Sequence, residues 1–545
     1  MTEGKKVVVF LTPEVAIDQS LHTYSGGLGV MSGDFLRSAR KIGLPVVGMT
    51  FLPREGYYDQ EVNGWGMRVE YRKRYYEDIL EKTGIKFTIS ICGSPVWLEI
   101  LRLPEGWFDT VPVYFLDADI PENDHVSRLN TIQLYGGSIE SGTNVERVER
   151  KVAQSIVLGR GCLEAVNLLG IRPKLYHVNE SHAGLLPFEL FSNFVFKEGM
   201  TFEQAKSATR LMTIFTTHTP VDAGNPKYDF EVMAKLGGYN REFLRFRGWN
   251  YFDMAGTAMF LSGKVSAVSK RHLDIAKRLW HWVDLDQPMV SVTNGVSQDY
   301  WQYSEFRSVN TPQELQSAKT IYKSRMTDLI KERTGKKFAE NVLTVIWARR
   351  FAEYKRPKLL FHYFDEWLLP LLIEGKLQLI VAGKPHPDDR MMIDVWNDIY
   401  KLSLKYHNLA VLSGYELGMS KVLKAGADGW LNTPRAPYEA CGTSGMSAAM
   451  NGAINISTPD GWMCEANPEN CFLFGARDQV AGYSQDAFDA TDLRETINNN
   501  VITLYYQHKD GWYRKALAGK LEVEKKRTSD RMAREYAEKL YDFSR

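Results

Sequence analysis

The chain has 545 residues, with 67 lysines and arginines against 66 aspartates and glutamates, and a formal net charge of +1. At roughly 150 residues per domain, this length suits two large domains or three ordinary ones. Apolar residues at 44% and charged residues at 24% are typical of a globular protein and exclude a disordered chain or a coiled coil. So small a net charge argues against nucleic acid as the main partner, because proteins that bind the phosphate backbone carry a basic face.

The sequence contains no pattern typical of secretion, membrane insertion or metal binding. Five cysteines are too few for a disulfide framework in so long a chain, and none is spaced as a metal-ligand pair. The apolar run at the N-terminus stops at Thr12, which is too short for the core of a signal peptide. The apolar stretch at 368–372 is bounded by Glu366 and Glu374, so we expect no membrane-spanning segment. These features predict a cytoplasmic protein without a metal site.

Short β-branched runs alternate with amphipathic helical stretches along the chain. Such continuous apolar strands between helices are typical of parallel sheets that are covered on both faces. The predicted strands are 7–10, 45–49, 211–215, 264–268, 342–346, 377–381, 409–412 and 453–456. The predicted helices include 34–42, 311–333 and a charged amphipathic helix at 528–543.

The alternation of strands and helices pauses between residues 298 and 341, where the sequence is polar and helical. We therefore expect an α/β protein of two doubly wound, Rossmann-like domains, 1–305 and 306–545. The last helix is expected to pack back on the N-terminal domain. A ligand cleft is expected between the carboxyl ends of the two sheets.

The first candidate site is a glycine-rich turn that contains Gly26, Gly27 and Gly29, between the first strand and the first helix. Glycines there let main-chain N–H groups approach an anion, and the N-terminus of the helix adds partial positive charge. An ordinary glycine turn is the alternative, because an isolated Gly-Gly-x-Gly pattern is weak evidence.

The second candidate site is a turn in the other half of the chain. There Cys441, Gly442, Thr443 and Ser444 precede a short helix rich in alanine and methionine. A plain helix cap is the alternative. Taken together, two glycine-rich helix starts, one in each domain, indicate an anion held across the predicted cleft.

The third candidate is a cluster of four cations directly after the predicted strand 342–346: Arg349, Arg350, Lys355 and Arg356. A solvated surface run is the usual explanation for such a cluster. Its position favours ligand binding, because ligands bind where parallel strands end. One cation about 4 Å from a phosphate charge contributes about 4 kcal/mol at an effective dielectric near 20. Arg350 and Lys355 are therefore expected to dominate anion binding.

Polar loops are expected at three other strand ends, at residues 177–182, 216–220 and 293–296. A single buried histidine is more often structural than catalytic. Three such clusters at three strand ends favour a functional site, although none has the spacing that a metal requires.

Taken in order, these segments resemble the glycogen (α-glucan) phosphorylase family in its shorter, prokaryotic form. The likeness runs from about Thr12 to about Lys515. The matching segments are 24–34, 56–57, 179–182, 217–220, 293–295 with Trp301, 349–356, 383–384, 430–435, 439–452 and 460–462. The resemblance implies the two-domain GT-B fold. It also implies retaining transfer of glucose between a phosphate and the non-reducing end of an α-1,4-glucan or maltooligosaccharide.

The resemblance also implies roles for individual residues in the second half of the chain. Arg350 and Lys355 would bind the phosphate that leaves or attacks. Glu439 would accept hydrogen bonds from the glucose hydroxyls, and Asn294 would hold the 6-hydroxyl. The turn of residues 441–444 would complete the substrate pocket.

In the first half, the resemblance assigns the Gly26 to Gly29 turn to the phosphate as well. His218 would lie over the anomeric carbon, and its main-chain carbonyl would stabilise the cationic sugar. Glu180 and His182 would line the same pocket. This agrees with the chemistry, since an oxocarbenium-like transition state needs nearby dipolar groups and a departing oxyanion needs cations.

One departure from the family pattern affects the cofactor. Phosphorylases place a lysine in the helix after the Gly-Thr turn, and pyridoxal phosphate forms its Schiff base there. In this sequence the resemblance puts Ser447 at that position, and serine cannot form an imine. Lys421 and Lys424 are close in sequence, but nothing in the sequence places them in that pocket.

Three interpretations follow. In the first, which we favour, the enzyme binds no pyridoxal phosphate and extends an α-1,4-glucan from a nucleoside diphosphate glucose. In the second, it is a phosphorylase that releases glucose 1-phosphate and holds pyridoxal phosphate noncovalently through Thr443, Ser444 and Arg349. In the third, it is a glucan-binding pseudoenzyme. The sequence predicts a glucan and a sugar donor as partners, with no nucleic acid or membrane, and leaves homo-oligomerisation open.

Overall fold

The computed structural model describes residues 6–64, 66–136, 144–245, 249–478 and 484–543, with the backbone alone at 144, 145 and 223. Two compact units make up the chain. Unit 1 comprises Met1–Tyr58, Tyr71–Thr293 and Met532–Arg545, and unit 2 comprises Asp59–Glu70 and Asn294–Arg531.

Strands and helices alternate through most of both units. The strands are β1 (Val7–Leu11), β2 (Val46–Phe51), β3 (Asp59–Asn63), β4 (Gly66–Glu70), β5 (Glu81–Ile91), β6 (Ser94–Leu103), β7 (Val113–Asp117), β8 (Pro173–Asn179), β9 (Thr213–Thr216), β10 (Lys227–Tyr228), β11 (Phe252–Asp253), β12 (Lys264–Ala267), β13 (Val290–Ser291), β14 (Thr344–Ala348), β15 (Gln378–Ala382), β16 (Leu409–Leu412), β17 (Gly429–Asn432), β18 (Ile454–Ser457) and β19 (Phe472–Leu473).

The helices are α1 (Gly27–Lys41), α2 (His125–Ile132), α3 (Asn144–Ile156), α4 (Cys162–Leu168), α5 (Leu185–Phe196), α6 (Phe202–Met212), α7 (Phe230–Gly237), α8 (Arg241–Leu244), α9 (Met254–Phe260), α10 (Lys270–Leu279), α11 (Gln298–Trp301), α12 (Ser304–Arg307), α13 (Pro312–Thr334), α14 (Leu368–Ile373), α15 (Arg390–Lys405), α16 (Leu417–Gly426), α17 (Ser444–Ala449), α18 (Gln485–Glu495), α19 (Ile502–Gln507), α20 (Lys509–Lys526) and α21 (Ser529–Tyr536).

Unit 1 is built on a nine-stranded sheet in the order β13-β12-β9-β8-β1-β2-β7-β6-β5. The seven strands from β13 to β7 are parallel to their neighbours, and β6 and β5 add an antiparallel edge. Every residue of β1 is buried, as a central strand with helices on both faces requires. Because parallel strands all end at the same edge, the residues that follow β1, β8 and β9 lie together.

The C-terminal segment completes the core of unit 1. Tyr536 and Tyr541 are buried in the same apolar cluster as Phe10 and Phe35. The rings of Phe35 and Tyr536 meet edge to face at 5.5 Å, and the Tyr541 hydroxyl lies 2.8 Å from His177 Nδ1. The segment Met532–Arg545 therefore belongs to unit 1, although the chain reaches it only after unit 2.

Unit 2 contains a six-stranded, fully parallel sheet in the order β16-β15-β14-β17-β18-β19. Its central strand β14 is buried throughout. The core includes Ile346, Ile380 and Trp430 from three neighbouring strands. Residues after β14 and β17 therefore reach one edge of this sheet, where the predicted cation cluster and the predicted turn at 441–444 occur.

The α/β class and the parallel strands predicted from the sequence are confirmed, and two doubly wound units of this kind constitute the GT-B fold. Three details of the sequence prediction were wrong. Residues 211–212 belong to α6 and not to a strand. Residues 177–179, predicted as part of a loop, are the last three residues of β8. The sheet of unit 1 is not wholly parallel, since β5 and β6 are antiparallel. The prediction missed these two strands because they are half-exposed and lack the continuous apolar runs on which it relied.

The compact units divide at Thr293 and Asn294, whereas the sequence suggested a division at 305 and 306. The reason lies in α11 and the residues after it. The main-chain oxygen of Trp301 accepts a hydrogen bond from Asn451 at 2.9 Å, and Gln302 Nε2 donates to the Met450 carbonyl at 2.6 Å. Both bonds attach this segment to unit 2. Across the described ranges, no helix is long and apolar enough to cross a bilayer.

Candidate active site

A buried polar network lies where the strands of unit 1 end. Asn179 is the last residue of β8, and its Nδ2 donates to the hydroxyls of Thr12 and Ser32, at 3.2 Å in each case. Its Oδ1 lies 2.8 Å from His218 Nε2. Because the amide oxygen can only accept, His218 carries its proton on Nε2. Burial lowers the pKa of His218 to about 3, so the ring is neutral near pH 7.

Glu180 stands next to Asn179 in an unusual backbone conformation, with φ 79° and ψ 156°. This region is almost confined to glycine and costs a residue with a side chain about 1–3 kcal/mol. Oε1 of Glu180 accepts from the Ser181 N–H at 2.6 Å. Oε2 accepts from the His218 N–H at 2.9 Å and from the Thr219 hydroxyl at 3.0 Å. The structure thus joins the two predicted residues Glu180 and His218 directly.

His182 lies in the short helical turn that follows Glu180. Burial lowers the pKa of His182 to about 4, against the opposing charge of Glu180. The His182 ring contacts Tyr135 edge to face, with the centroids 5.0 Å apart. The role of His182 as a substrate contact remains a prediction.

The glycine-rich turn before α1 binds a carboxylate of its own unit. The N–H groups of Ser25 and Gly26 donate to Glu14 Oε2, at 3.2 Å for Gly26. The Tyr135 hydroxyl donates to Glu14 Oε1 at 2.9 Å. A Cβ added at Gly29 would lie 2.6 Å from Tyr24 Cβ, so this glycine permits close packing. The phosphate role of Gly26, Gly27 and Gly29 remains a prediction.

In unit 2, Glu439 lies between two cations. Lys355 Nζ donates to Glu439 Oε2, and Arg349 Nη1 lies 3.6 Å from the same oxygen. Burial alone would raise the pKa of Glu439, but Lys355 and then Arg349 hold it below its ordinary value. Glu439 is therefore ionised and accepts hydrogen bonds only. Its own N–H is fixed by Asp460 Oδ2 at 2.7 Å.

Arg349 occupies the buried position beside Glu439, whereas Arg350 is exposed. Nη2 of Arg349 donates to Asn432 Oδ1 and lies 3.5 Å from the Ser444 hydroxyl. Within the described part of the chain, Nε and Nη1 of Arg349 have no hydrogen-bond partner. Arg350 still acts on Glu439 through its charge. The sequence analysis assigned the anion mainly to Arg350 and Lys355, and the structure places Arg349, another member of the same cation cluster, beside Glu439.

Asn294 and Cys441 are neighbours in the same unit. The backbone of Asn294 is within hydrogen-bonding reach of the Cys441 thiol, and burial raises the pKa of that thiol. Oδ1 of Asn294 lacks a hydrogen-bond partner among the described residues, although the side chain is only 4% exposed. Gly442 has φ 84°, and a Cβ there would lie 3.3 Å from Glu439 Cγ. The turn at 441–444 therefore lies between Asn294 and Glu439.

Ser447 is buried in α17, and its hydroxyl is used inside the helix. Oγ donates to the Ser444 carbonyl at 3.1 Å and is 3.4 Å from the Thr443 carbonyl. Lys424 Nζ lies 3.5 Å from the centre of the Trp301 ring. Lys421 Nζ is 4.6 Å from the centre of another ring, that of Tyr300. Ser447 itself offers no amine with which a pyridoxal phosphate could form an imine.

Sequence reasoning missed Glu14, included Asn179 in a polar cluster without giving it a role, and gave Arg349 a minor place. Glu14 follows β1 and Arg349 follows β14, so position after a strand was the available signal. It was insufficient because the direction of each side chain depends on packing. No cluster of three or more His, Cys, Asp or Glu side chains that could hold a metal ion occurs in the described ranges.

The chain is similar to known carbohydrate-active proteins over nearly its whole length. The family model described as carbohydrate phosphorylase matches residues 304–500, and that of the starch synthase catalytic domain matches residues 7–279. An uncharacterised protein of Methanocaldococcus jannaschii is 37% identical over 98% of this chain and 100% of its own length. Maltodextrin phosphorylase of Thermococcus litoralis is 31% identical, over 98% of this chain and 70% of its own length. Glycogen phosphorylase of Mycobacterium tuberculosis is 28% identical with the same coverage.

Proposed function

The chain belongs to the phosphorylase-like family of glycosyltransferases, and we propose that it transfers glucose from a nucleoside diphosphate glucose to an α-1,4-glucan. The transfer retains the anomeric configuration and uses no pyridoxal phosphate. The observation that carries this choice is Ser447, whose hydroxyl is bonded within α17 at the position where the family resemblance predicts the cofactor lysine. The glucan acceptor is supported by the relatives named maltodextrin phosphorylase and glycogen phosphorylase.

The charges around Glu439 suit a diphosphate leaving group. Arg349, Arg350 and Lys355 carry three positive charges near Glu439, and each of them lowers its pKa. A nucleoside diphosphate that departs from glucose carries a comparable negative charge. The ammonium of Lys355 has three N–H donors, so it can hold Glu439 and bind a phosphoryl oxygen at once. Cations at the developing oxyanion stabilise the transition state more than the ground state.

The sugar itself is proposed to bind acceptor groups of unit 2. Glu439, ionised and fixed by its own N–H, accepts from glucose hydroxyls, and Asn294 binds another hydroxyl through its free Oδ1. The family resemblance assigns the main-chain carbonyl of His218 to the cationic sugar. The low pKa of His218 keeps the neighbouring imidazole neutral, so no positive ring opposes that cation.

The donor is tested by incubating the purified protein with maltoheptaose and either ADP-glucose or UDP-glucose. We expect chains lengthened by one or more glucose units, measured by mass spectrometry, and stoichiometric release of nucleoside diphosphate. The same glucan with inorganic phosphate should give little glucose 1-phosphate. Efficient phosphorolysis without elongation would refute the proposal.

A second candidate is a phosphorylase that holds pyridoxal phosphate without a covalent bond. Two donor atoms of Arg349, Nε and Nη1, favour this candidate, because they make no hydrogen bond in the described structure and could bind the cofactor's phosphate. The third nitrogen, Nη2, lies 3.5 Å from the Ser444 hydroxyl. Denaturation of the purified protein should release no pyridoxal phosphate if the first proposal is right. In the variant Ser447→Lys, a new absorbance near that of an imine after addition of the cofactor would show that the pocket accepts it.

A further inference from the structure

Glu180 adopts a conformation that glycine would adopt without strain. Its φ of 79° and ψ of 156° follow directly after the last residue of β8, and its own N–H donates to the Thr216 carbonyl at 2.9 Å. A glutamate at such a position indicates that its carboxylate has a use that offsets the strain. The side chain is 4% exposed, so its carboxylate acts on other groups of the protein and not on solvent.

The carboxylate of Glu180 fixes the segment that carries the His218 carbonyl. Oε2 accepts both from the His218 N–H and from the Thr219 hydroxyl, so one oxygen holds the chain on either side of that carbonyl. The preceding N–H, that of Thr217, donates to the Ser266 carbonyl at 3.0 Å. The His218 ring is held separately by Asn179, at 2.8 Å. Every one of these tethers belongs to unit 1.

We propose that Glu180 is a positioning residue that fixes the main-chain carbonyl of His218 for the role that the proposed function assigns to it. This inference rests on the proposed function, which assigns that carbonyl to the cationic transition state. Glu180 itself has both carboxylate oxygens bonded within the protein and acts through His218. The proposal predicts that loss of the carboxylate slows the chemical step and leaves donor binding unchanged, because the proposed donor-binding cations lie in unit 2.

The first test compares Glu180→Gln with wild type by steady-state kinetics and by titration with nucleoside diphosphate. The amide has one acceptor oxygen where the carboxylate has two, so its NH2 group would face either the Ser181 N–H or the donors His218 N–H and Thr219 hydroxyl. We therefore expect kcat to fall about 100-fold, the effect of a small misplacement of a catalytic group. The Kd for nucleoside diphosphate should stay within twofold. A kcat within threefold of wild type, or an equal loss of nucleotide affinity, would overturn the proposal.

The matched control is Glu189→Gln. Glu189 is also a buried glutamate of unit 1, 4% exposed; it lies in α5 and binds Tyr239 and Arg160. This variant should lose thermal stability and retain kcat. If Glu189→Gln lowered kcat as much as Glu180→Gln, general destabilisation would explain both results and the positioning role would be wrong.

A second variant covers the case in which Glu180→Gln does not fold. Thr219→Val removes one of the two donors to Oε2 and keeps the carboxylate. It should lower kcat about 5-fold to 10-fold, in the same direction and again without change in nucleotide affinity. An unchanged kcat in Thr219→Val, with the Glu180 variant unfolded, would count against the proposal.

Binding of a cationic iminosugar separates this inference from the proposed function. Such a compound carries the positive charge of the transition state and needs no donor to bind. Its affinity should fall at least 10-fold in Glu180→Gln, while the affinity for neutral glucose stays the same. If wild type elongated no glucan with any nucleotide donor, the proposed function would fail, yet a selective loss of iminosugar affinity would still support Glu180 as the residue that orients the carbonyl. Equal affinities in both proteins would refute it.

Discussion

Replacement of Lys355 by alanine tests the central cation of unit 2. Its ammonium contacts Glu439 Oε2, and it is the charge that lowers the pKa of Glu439 most. If a leaving phosphoryl oxygen lies about 4 Å from this ammonium, their attraction is about 4 kcal/mol at an effective dielectric of 20. At 1.36 kcal/mol for each factor of ten, loss of this attraction in the transition state lowers kcat about 1000-fold.

The assay is the initial rate of nucleoside diphosphate release with maltoheptaose as acceptor, measured at saturating donor. Lys358→Ala is the matched control, because Lys358 is three residues away and forms a pair with Asp398 at 3.3 Å in which both side chains are more than half exposed. Such surface pairs contribute about 0–1 kcal/mol, so the control should keep its activity. A Lys355→Ala enzyme with more than one tenth of the wild-type kcat would contradict the assignment of this lysine to the leaving group.

Two further predictions concern stability. Burial lowers the pKa of His177 and of His218 from 6.5 to about 3, so the unfolded chain binds more protons than the folded one below pH 6.5, and stability falls as the pH falls. Each histidine should lower the free energy of unfolding, measured with urea, by about 2 kcal/mol between pH 7 and pH 5. A urea midpoint that does not change with pH would contradict this. In α1, a Cβ at Gly33 would clash with the Ala16 carbonyl, whereas one at Gly27 would meet nothing within 4 Å. Gly33→Ala should therefore destabilise by about 1–3 kcal/mol and Gly27→Ala by less than about 0.5 kcal/mol, and equal melting temperatures for the two variants would refute the argument.

The parallel strands could be predicted because each is a short, continuous apolar run. The predicted strands at 342–346, 377–381 and 409–412 correspond to β14, β15 and β16, and the predicted helix at 311–333 corresponds to α13. A strand that is buried on both faces needs apolar residues at consecutive positions, so it can be recognised in the sequence. The strands β5 and β6 alternate between exposed and buried residues in part and carry many charges, so they gave no comparable signal.

The candidate site could be predicted by position but not by contact. Residues that follow parallel strands were expected to form it. Arg349 and Glu180 do follow such strands, and Asn179 is the last residue of one. The sequence could not tell whether Arg349 or Arg350 is buried against Glu439, because that depends on how the chain turns after β14. Nor could it show that Glu14 binds the amides before α1, since this bond joins two loops whose conformations are set by the whole unit.

The C-terminal segment has a consequence for synthesis on the ribosome. Tyr536 and Tyr541 belong to the apolar core of unit 1, and the Tyr541 hydroxyl lies against His177. When the first 293 residues have left the exit tunnel, this core still lacks both tyrosines, and the whole of Asn294–Arg531 must be translated before they arrive. During this time the apolar core of unit 1 is incomplete. A premature stop codon late in the messenger RNA would therefore destabilise unit 1, although most of unit 1 is translated before unit 2.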